Sequence, residues 1–324
     1  MASGNPRHGW MRPMINRTII RLKVVQLLYA CRQRDAADLP AALRELHTSL
    51  DKARELYCSL LVLIVNVTRY AREALLKKEE LNRVVHREEA LSHRFVDNAL
   101  AARLESDEEM GKLREKGVGS WTADAVYLQQ LLTDLQSQPA YKEYMERAEA
   151  PTFEDDRMLW RKLYKSVIAQ DERLDELIEE QSLYWNDDKA VIDTFVLKTL
   201  KLLEPAPDPH TPTLLPPYKD EADKTFAEDL FRQAMTQETR WAELIAESVK
   251  GWEFGRLALM DRIIMQAALA EMVTFPLIPV EVTINEYVEI AKYYSPPKSS
   301  AYINGILDHL ARRLRQEGVI LKDF

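Results

Sequence analysis

Residues 256–310 read RLALMDRIIMQAALAEMVTFPLIPVEVTINEYVEIAKYYSPPKSSAYINGILDHL, and their apolar positions recur at spacings of three and four in three separate runs. The runs are interrupted by FPLIP and by YSPPKSS, where proline cannot continue a helix. The pattern predicts helices over about 256–273, 280–294 and 300–316. Within the last, Asn304-Gly305 sits inside an apolar helical pattern. A mid-helix glycine costs about 1 kcal/mol relative to alanine, so close packing against another helix is expected there.

Upstream, the same reading predicts helices near 222–235 and 237–250, and this pair has a counterpart 67 residues earlier. LYKSVIAQDERLDELIEE, from Leu163, lies over LFRQAMTQETRWAELIAE, from Leu230, and Trp185 then meets Trp252 without a gap. Two copies in register suggest a duplicated helix pair. Between them EPAPDPHTPTLLPPYKD, residues 204–220, holds six of the chain's fifteen prolines and reads as an extended linker. At the other end, residues 14–34 predict a helix with Ile15, Ile19, Leu22, Val25 and Tyr29 on its core stripe. Ile20, Val24, Leu27 and Leu28 make the rest of it apolar too, so packing on more than one side is expected. Helices over about 39–75 follow, and the glycines of GKLREKGVG mark a break in the more polar segment after them.

The organisation expected is a basic tail (1–13), N-terminal helices (14–75), an additional helical region with the first repeat copy (76–204), the proline-rich linker (205–220), a C-terminal helical core (221–318) and a short tail (319–324). Only nine glycines occur in 324 residues, which argues against β-rich or nucleotide-cradling architectures. An all-α protein follows.

Composition narrows the function. Cys31 and Cys58 lie inside apolar helical patterns without paired spacing, which predicts no disulfide, no zinc site and a reducing, cytoplasmic location. The longest apolar run, Leu60 to Val65, is far shorter than the roughly 18 residues of a membrane span, so no membrane association is expected. The chain carries a net charge of −8, yet residues 1–34 hold Arg7, Arg12, Arg17, Arg21, Lys23, Arg32 and Arg34 and no acid. Residues 292–324 are also net basic. Two basic ends on an acidic chain suggest a local anionic partner. No Walker loop, HExxH, GxSxG or GxGxxG after a strand is present, so no catalytic residue, metal or cofactor is expected.

Three motifs carry a family resemblance: RL, DR.I and A..E within 256–271; IP..V.INE..EIAK.Y over 278–294; and YINGILD over 302–308. With NRTIIRLKVVQLLYA from Asn16, they resemble the NusB family of transcription antitermination factors. The resemblance covers about twenty residues near the start and the last hundred. Nearly 190 residues between these ends are absent from a minimal member, so an extended NusB-like helical bundle is implied.

What the resemblance implies is a helical RNA-binding factor acting on boxA-type ribosomal RNA leader transcripts, together with NusE, a small-subunit ribosomal protein, in the RNA polymerase antitermination complex. Arg17 and Arg21, one turn apart near a helix start and with no acid nearby in sequence, are placed on the phosphate backbone, helped by Arg12 and Lys23. Lys298 stands where many members carry an acid, and Ser299 and Ser300 are expected to cap the last helix, with Ser299 secondarily meeting RNA. Tyr294 and Tyr302 fit two roles equally, stacking on unpaired bases and core packing. Asp261 matches an acidic position that members offer to NusE, though a solvated or intrahelical carboxylate explains it as well. Asn285 and Glu286 are read as buried hydrogen-bonding or capping groups, with Thr283 and Glu286 spaced as a capping box, and Tyr29 as structural. Two rival functions remain, a protein-interaction scaffold without RNA binding and the RNA-binding part of a ribosomal RNA methyltransferase.

Overall fold

The computed structural model describes residues 14–34, 38–119, 125–185, 187–205, 213–218, 221–249, 255 and 257–321. Among them the chain forms fourteen α-helices and no strand. In order these are α1 (Arg17–Gln33), α2 (Leu39–Val84), α3 (Ala99–Glu105), α4 (Glu108–Glu115), α5 (Ala125–Ser137), α6 (Pro139–Glu146) and α7 (Phe153–Ser166), then α8 (Glu172–Gln181), α9 (Lys189–Leu202), α10 (Glu221–Thr236), α11 (Glu238–Ser248), α12 (Leu259–Thr274), α13 (Val280–Tyr294) and α14 (Ser299–Gln316). No described helix is long and apolar enough to cross a membrane.

The chain divides into two compact units, residues 1–50 with 216–324 and residues 51–215. In the first, α1 begins where the side chain of Asn16 accepts the backbone N–H groups of Thr18 and Ile19, satisfying two of the free amides of a helix start. The helix then packs on α10, α12 and α13 at once, which explains why it is apolar nearly all round: Ile19, Ile20, Val24, Val25, Leu27 and Leu28 are all buried. Its leading strand of chain is tied down as well, since Met14 N–H and Ile15 N–H donate to the carbonyls of Pro216 and Pro217 at 2.8 Å each.

In the second unit, α7 starts with a capping box between Thr152 and Asp155. α4 ends at Gly117, whose φ of +81° suits glycine and lets Gly117 and Val118 donate back to Arg114 and Leu113. The glycine break in GKLREKGVG is therefore a helix stop.

Two boundaries differ from expectation. The segment read as helices over about 39–75 is one helix of 46 residues, α2, so a boundary at 75/76 falls inside a continuous hydrogen-bonded element. The proline-rich segment is also more than a spacer. Leu214 and Leu215 are buried, and within the second unit the hydroxyl of Tyr57 accepts from Leu215 N–H at 3.1 Å while Arg54 donates to the Leu215 carbonyl at 2.8 Å. Extended proline-rich backbone leaves carbonyls unpaired, and here the half-buried Arg54 takes that of Leu215 while the Met14 and Ile15 amides take those of Pro216 and Pro217.

Candidate nucleic-acid interface

The first unit holds every described residue expected to meet RNA; Arg12 lies outside the described residues. Arg17 is the first residue of α1 and stays exposed, with 44% of its side chain accessible. Its guanidinium rests 4.9 Å from the centroid of the Phe226 ring, and its Nε lies 3.5 Å from Asp223 Oδ1, both on α10. One turn on, Arg21 is buried. Its Nε and Nη2 donate to the two oxygens of Glu271 at 2.7 and 2.8 Å, and Nη1 donates to Glu286 at 3.0 Å.

This corrects the expectation for Arg21. No acid neighbours it in sequence, but α12 and α13 bring two against it, so its donors face carboxylates rather than solvent. Burial disfavours the guanidinium charge, and the hydrogen bond and charge of Glu271 more than offset that, so its pKa is raised. The same carboxylate accepts from the hydroxyls of Thr283 and Tyr287, and burial together with Glu271 holds the Tyr287 phenol well above its ordinary value. Glu286 also accepts from Thr18 at 2.9 Å. Thr283 thus belongs to a buried polar cluster with Glu271, and the half-buried Glu286 stands at its edge; α13 has Pro279 as its N-cap and no side-chain cap bond. Lys23 is buried too, which removes it from an RNA surface.

At the other end of the interface, Lys298 precedes α14 and is exposed. No side-chain cap bond forms at this helix start: the hydroxyl of Ser299 donates instead to Asp261 Oδ2 at 2.8 Å, and both residues are buried. Ser299 and Asp261 therefore fasten the start of α14 to the start of α12 and are closed off from ligands, a second correction. Tyr302 is 38% exposed. Tyr294 is half-buried, its hydroxyl accepting from Gln26 of α1 at 3.0 Å, while its neighbour Tyr293 is 70% exposed. Sequence reading missed Tyr293, although the signal was available: Thr283, Tyr287, Ile290 and Tyr294 share the inward phase of α13, which leaves Tyr293 outside. Phe226 and Asp223 were missed for want of any local signal, and Glu271, which closes the A..E motif, gave no local sign of its pairing with Arg21.

Gly305 and Asn304 are exposed, and nothing lies within 4 Å of where a Gly305 Cβ would stand. The close helix packing expected there is absent. Tyr29, read as structural, is half-buried and accepts from Gln33.

The two basic positions share a frame. Thr18 and Gln26 of α1 both bond to α13, at Glu286 and Tyr294, and Lys298 follows Tyr294 by four residues. The nine residues from Arg17 to Gln26 rise about 13 Å along α1. Neither α1 nor α14 has an acid in its own first turn, and each start carries an exposed cation, Arg17 or Lys298; the carboxylates near these starts come from other helices, Asp223 and Glu286 at α1 and Asp261 at α14.

The family model described as "NusB family" matches residues 208–312. The transcription antitermination protein NusB of Geotalea daltonii is 35% identical over 136 residues, 41% of this chain and 89% of that protein. Those of Salinibacter ruber and Koribacter versatilis are 33% and 41% identical, over 35% and 30% of this chain and 71% and 67% of theirs. No solved structure matches the chain.

Proposed function

The chain belongs to the NusB family of transcription antitermination proteins, and from that premise we propose that its first unit binds boxA-type ribosomal RNA leader transcripts together with NusE, within the RNA polymerase antitermination complex. The protein acts in the cytoplasm and catalyses nothing on this reading. Arg17 and Lys298 take phosphates, and Tyr293 and Tyr302 offer exposed rings to unpaired bases. Tyr294 holds the loop against α1, and Arg21 holds the helices that carry Arg17.

The observation that carries the reading is Lys298. It stands exposed at the positive end of α14, whose own first turn holds no acid, so the ammonium and the helix start both attract an anion such as phosphate at the surface. The acidic bulk of the chain suits a basic ribosomal protein as partner.

The test is binding of a labelled boxA-type RNA across a salt series, with and without NusE. Lys298→Ala and Arg17→Ala should each weaken binding and lower the log-log salt slope by about 0.7, one phosphate contact on a single strand, with melting unchanged. Unaltered affinity and slope in both variants would remove RNA from this surface.

A further inference from the structure

The helix pair duplicated in sequence is part of a larger likeness between the two units. α7 and α8 span 153–166 and 172–181; α10 and α11 span 221–236 and 238–248, so three of the four helix ends that can be compared at offset 67 agree to within one residue. Burial follows the same offset: Leu163 and Leu230, Tyr164 and Phe231, and Ile178 and Ile245 are all core residues. Even the closing bond repeats, Ser182 N–H to the Ile178 carbonyl and Val249 N–H to the Ile245 carbonyl.

The likeness continues beyond the pair. α9 packs on α7 as α12 packs on α10. At an offset of 68, Asp193 of α9 and Asp261 of α12 are both buried acids bonded to a hydroxyl, from Tyr164 and Ser299. Further back, α3 packs on α7 as α1 packs on α10. Both α3 and α1 follow an asparagine whose side chain accepts from the third residue on, Asn98 from Ala101 and Asn16 from Ile19. Both carry Arg-Leu five and six residues after that cap, Arg103-Leu104 and Arg21-Leu22. In each unit a buried aspartate from the first repeated helix, Asp156 or Asp223, meets the first residue of the capped helix.

We propose that residues 98–203 are a diverged internal copy of the helical set α1, α10, α11 and α12, and that its counterpart of the anion-binding corner is closed. The second half of this rests on the RNA reading given above. At the position of Arg17 the copy has Ala99. There Asp156 Oδ2 accepts the Ala99 backbone N–H at 2.6 Å, and Asp156 Oδ1 accepts the hydroxyl of Tyr144 at 2.5 Å. Unit 1 sets the guanidinium of Arg17 against Asp223, whereas in the copy no cation stands at this position and the buried Asp156 takes the helix-start amide itself, leaving nothing there for a phosphate. The copy also ends at Leu203, without counterparts of α13, α14 or the lysine-bearing loop. One chain therefore offers one RNA-binding corner, and the second unit serves as a structural or protein-binding body.

Two measurements on the full chain test this. Titration with a short boxA-type RNA should saturate at one RNA per chain, and the double variant Arg17→Ala, Lys298→Ala should lose that site with none remaining. Two RNAs per chain, or one left on the double variant, would show the copy to be open. Separately, hydrogen exchange should find the Ala99 amide slowed at least tenfold against its intrinsic rate, a protection lost in Asp156→Ala. The wild-type rate needs no variant, so misfolding of Asp156→Ala leaves it readable; an unprotected Ala99 amide overturns the closed corner. Should the wild type bind no RNA at all, the proposed function fails while Ala99 protection still reports on the copy.

Discussion

Arg17 and Arg21 lie one turn apart on the same helix and have the same chemistry, yet their surroundings give them opposite work. Arg17 keeps its guanidinium at the surface over Phe226, while Arg21 is held by both oxygens of Glu271. Removing one member of a buried, fully bonded ion pair strands the other charge, at a cost of about 3–5 kcal/mol. Arg21→Ala or Glu271→Ala should therefore lower stability by that amount in chemical denaturation, while Arg17→Ala, exposed and weakly paired, should leave it within about 0.5 kcal/mol. Equal small effects for all three would mean the pair is not formed in solution. The partners of Arg21 were not legible in the sequence, because Glu271 is 250 residues away and ion pairing leaves no local periodicity. The exposure of Tyr293 was legible, since helical phase alone separates it from Tyr294.

At the scale of elements, the helices after the linker fall within about three residues of their expected spans, because apolar spacing and proline stops are local signals. α2 was read as shorter because its later turns, past residue 75, are largely exposed and charged, a pattern shared by solvated helix and loop. α14 carries the clearest element-level prediction. Gly305 is helical and exposed, and a Cβ there meets nothing, so Gly305→Ala should stabilise the protein by about 0.5–1 kcal/mol. The denaturation midpoint should rise without change in slope. A loss of stability would reveal a contact at Gly305 that the free chain does not show, and a loss of partner binding in a stabilised variant would mark Gly305 as a point of close approach.

For the whole molecule, several buried groups keep their protons far above the ordinary range. Burial pushes the Cys58 thiol from 9.0 up to about 12, and burial likewise raises the phenols of Tyr57, Tyr127, Tyr164 and Tyr287 above 10.0. The folded state thus holds protons that the unfolded chain releases, so stability is complete below pH 9 and falls as pH rises toward 12. Helical ellipticity should collapse together with late ionisation of the buried tyrosines, followed by absorbance. Phenols titrating freely near pH 10 with helix content intact would contradict this packing. By itself the sequence determined the helical class, the positions of the later helices and the likeness to NusB, all of which rest on local spacing or on order along the chain. Tertiary structure alone decided which of the basic side chains stay open to a ligand, because the burial and charge pairing of Arg21 are set by residues brought together from opposite ends of the chain.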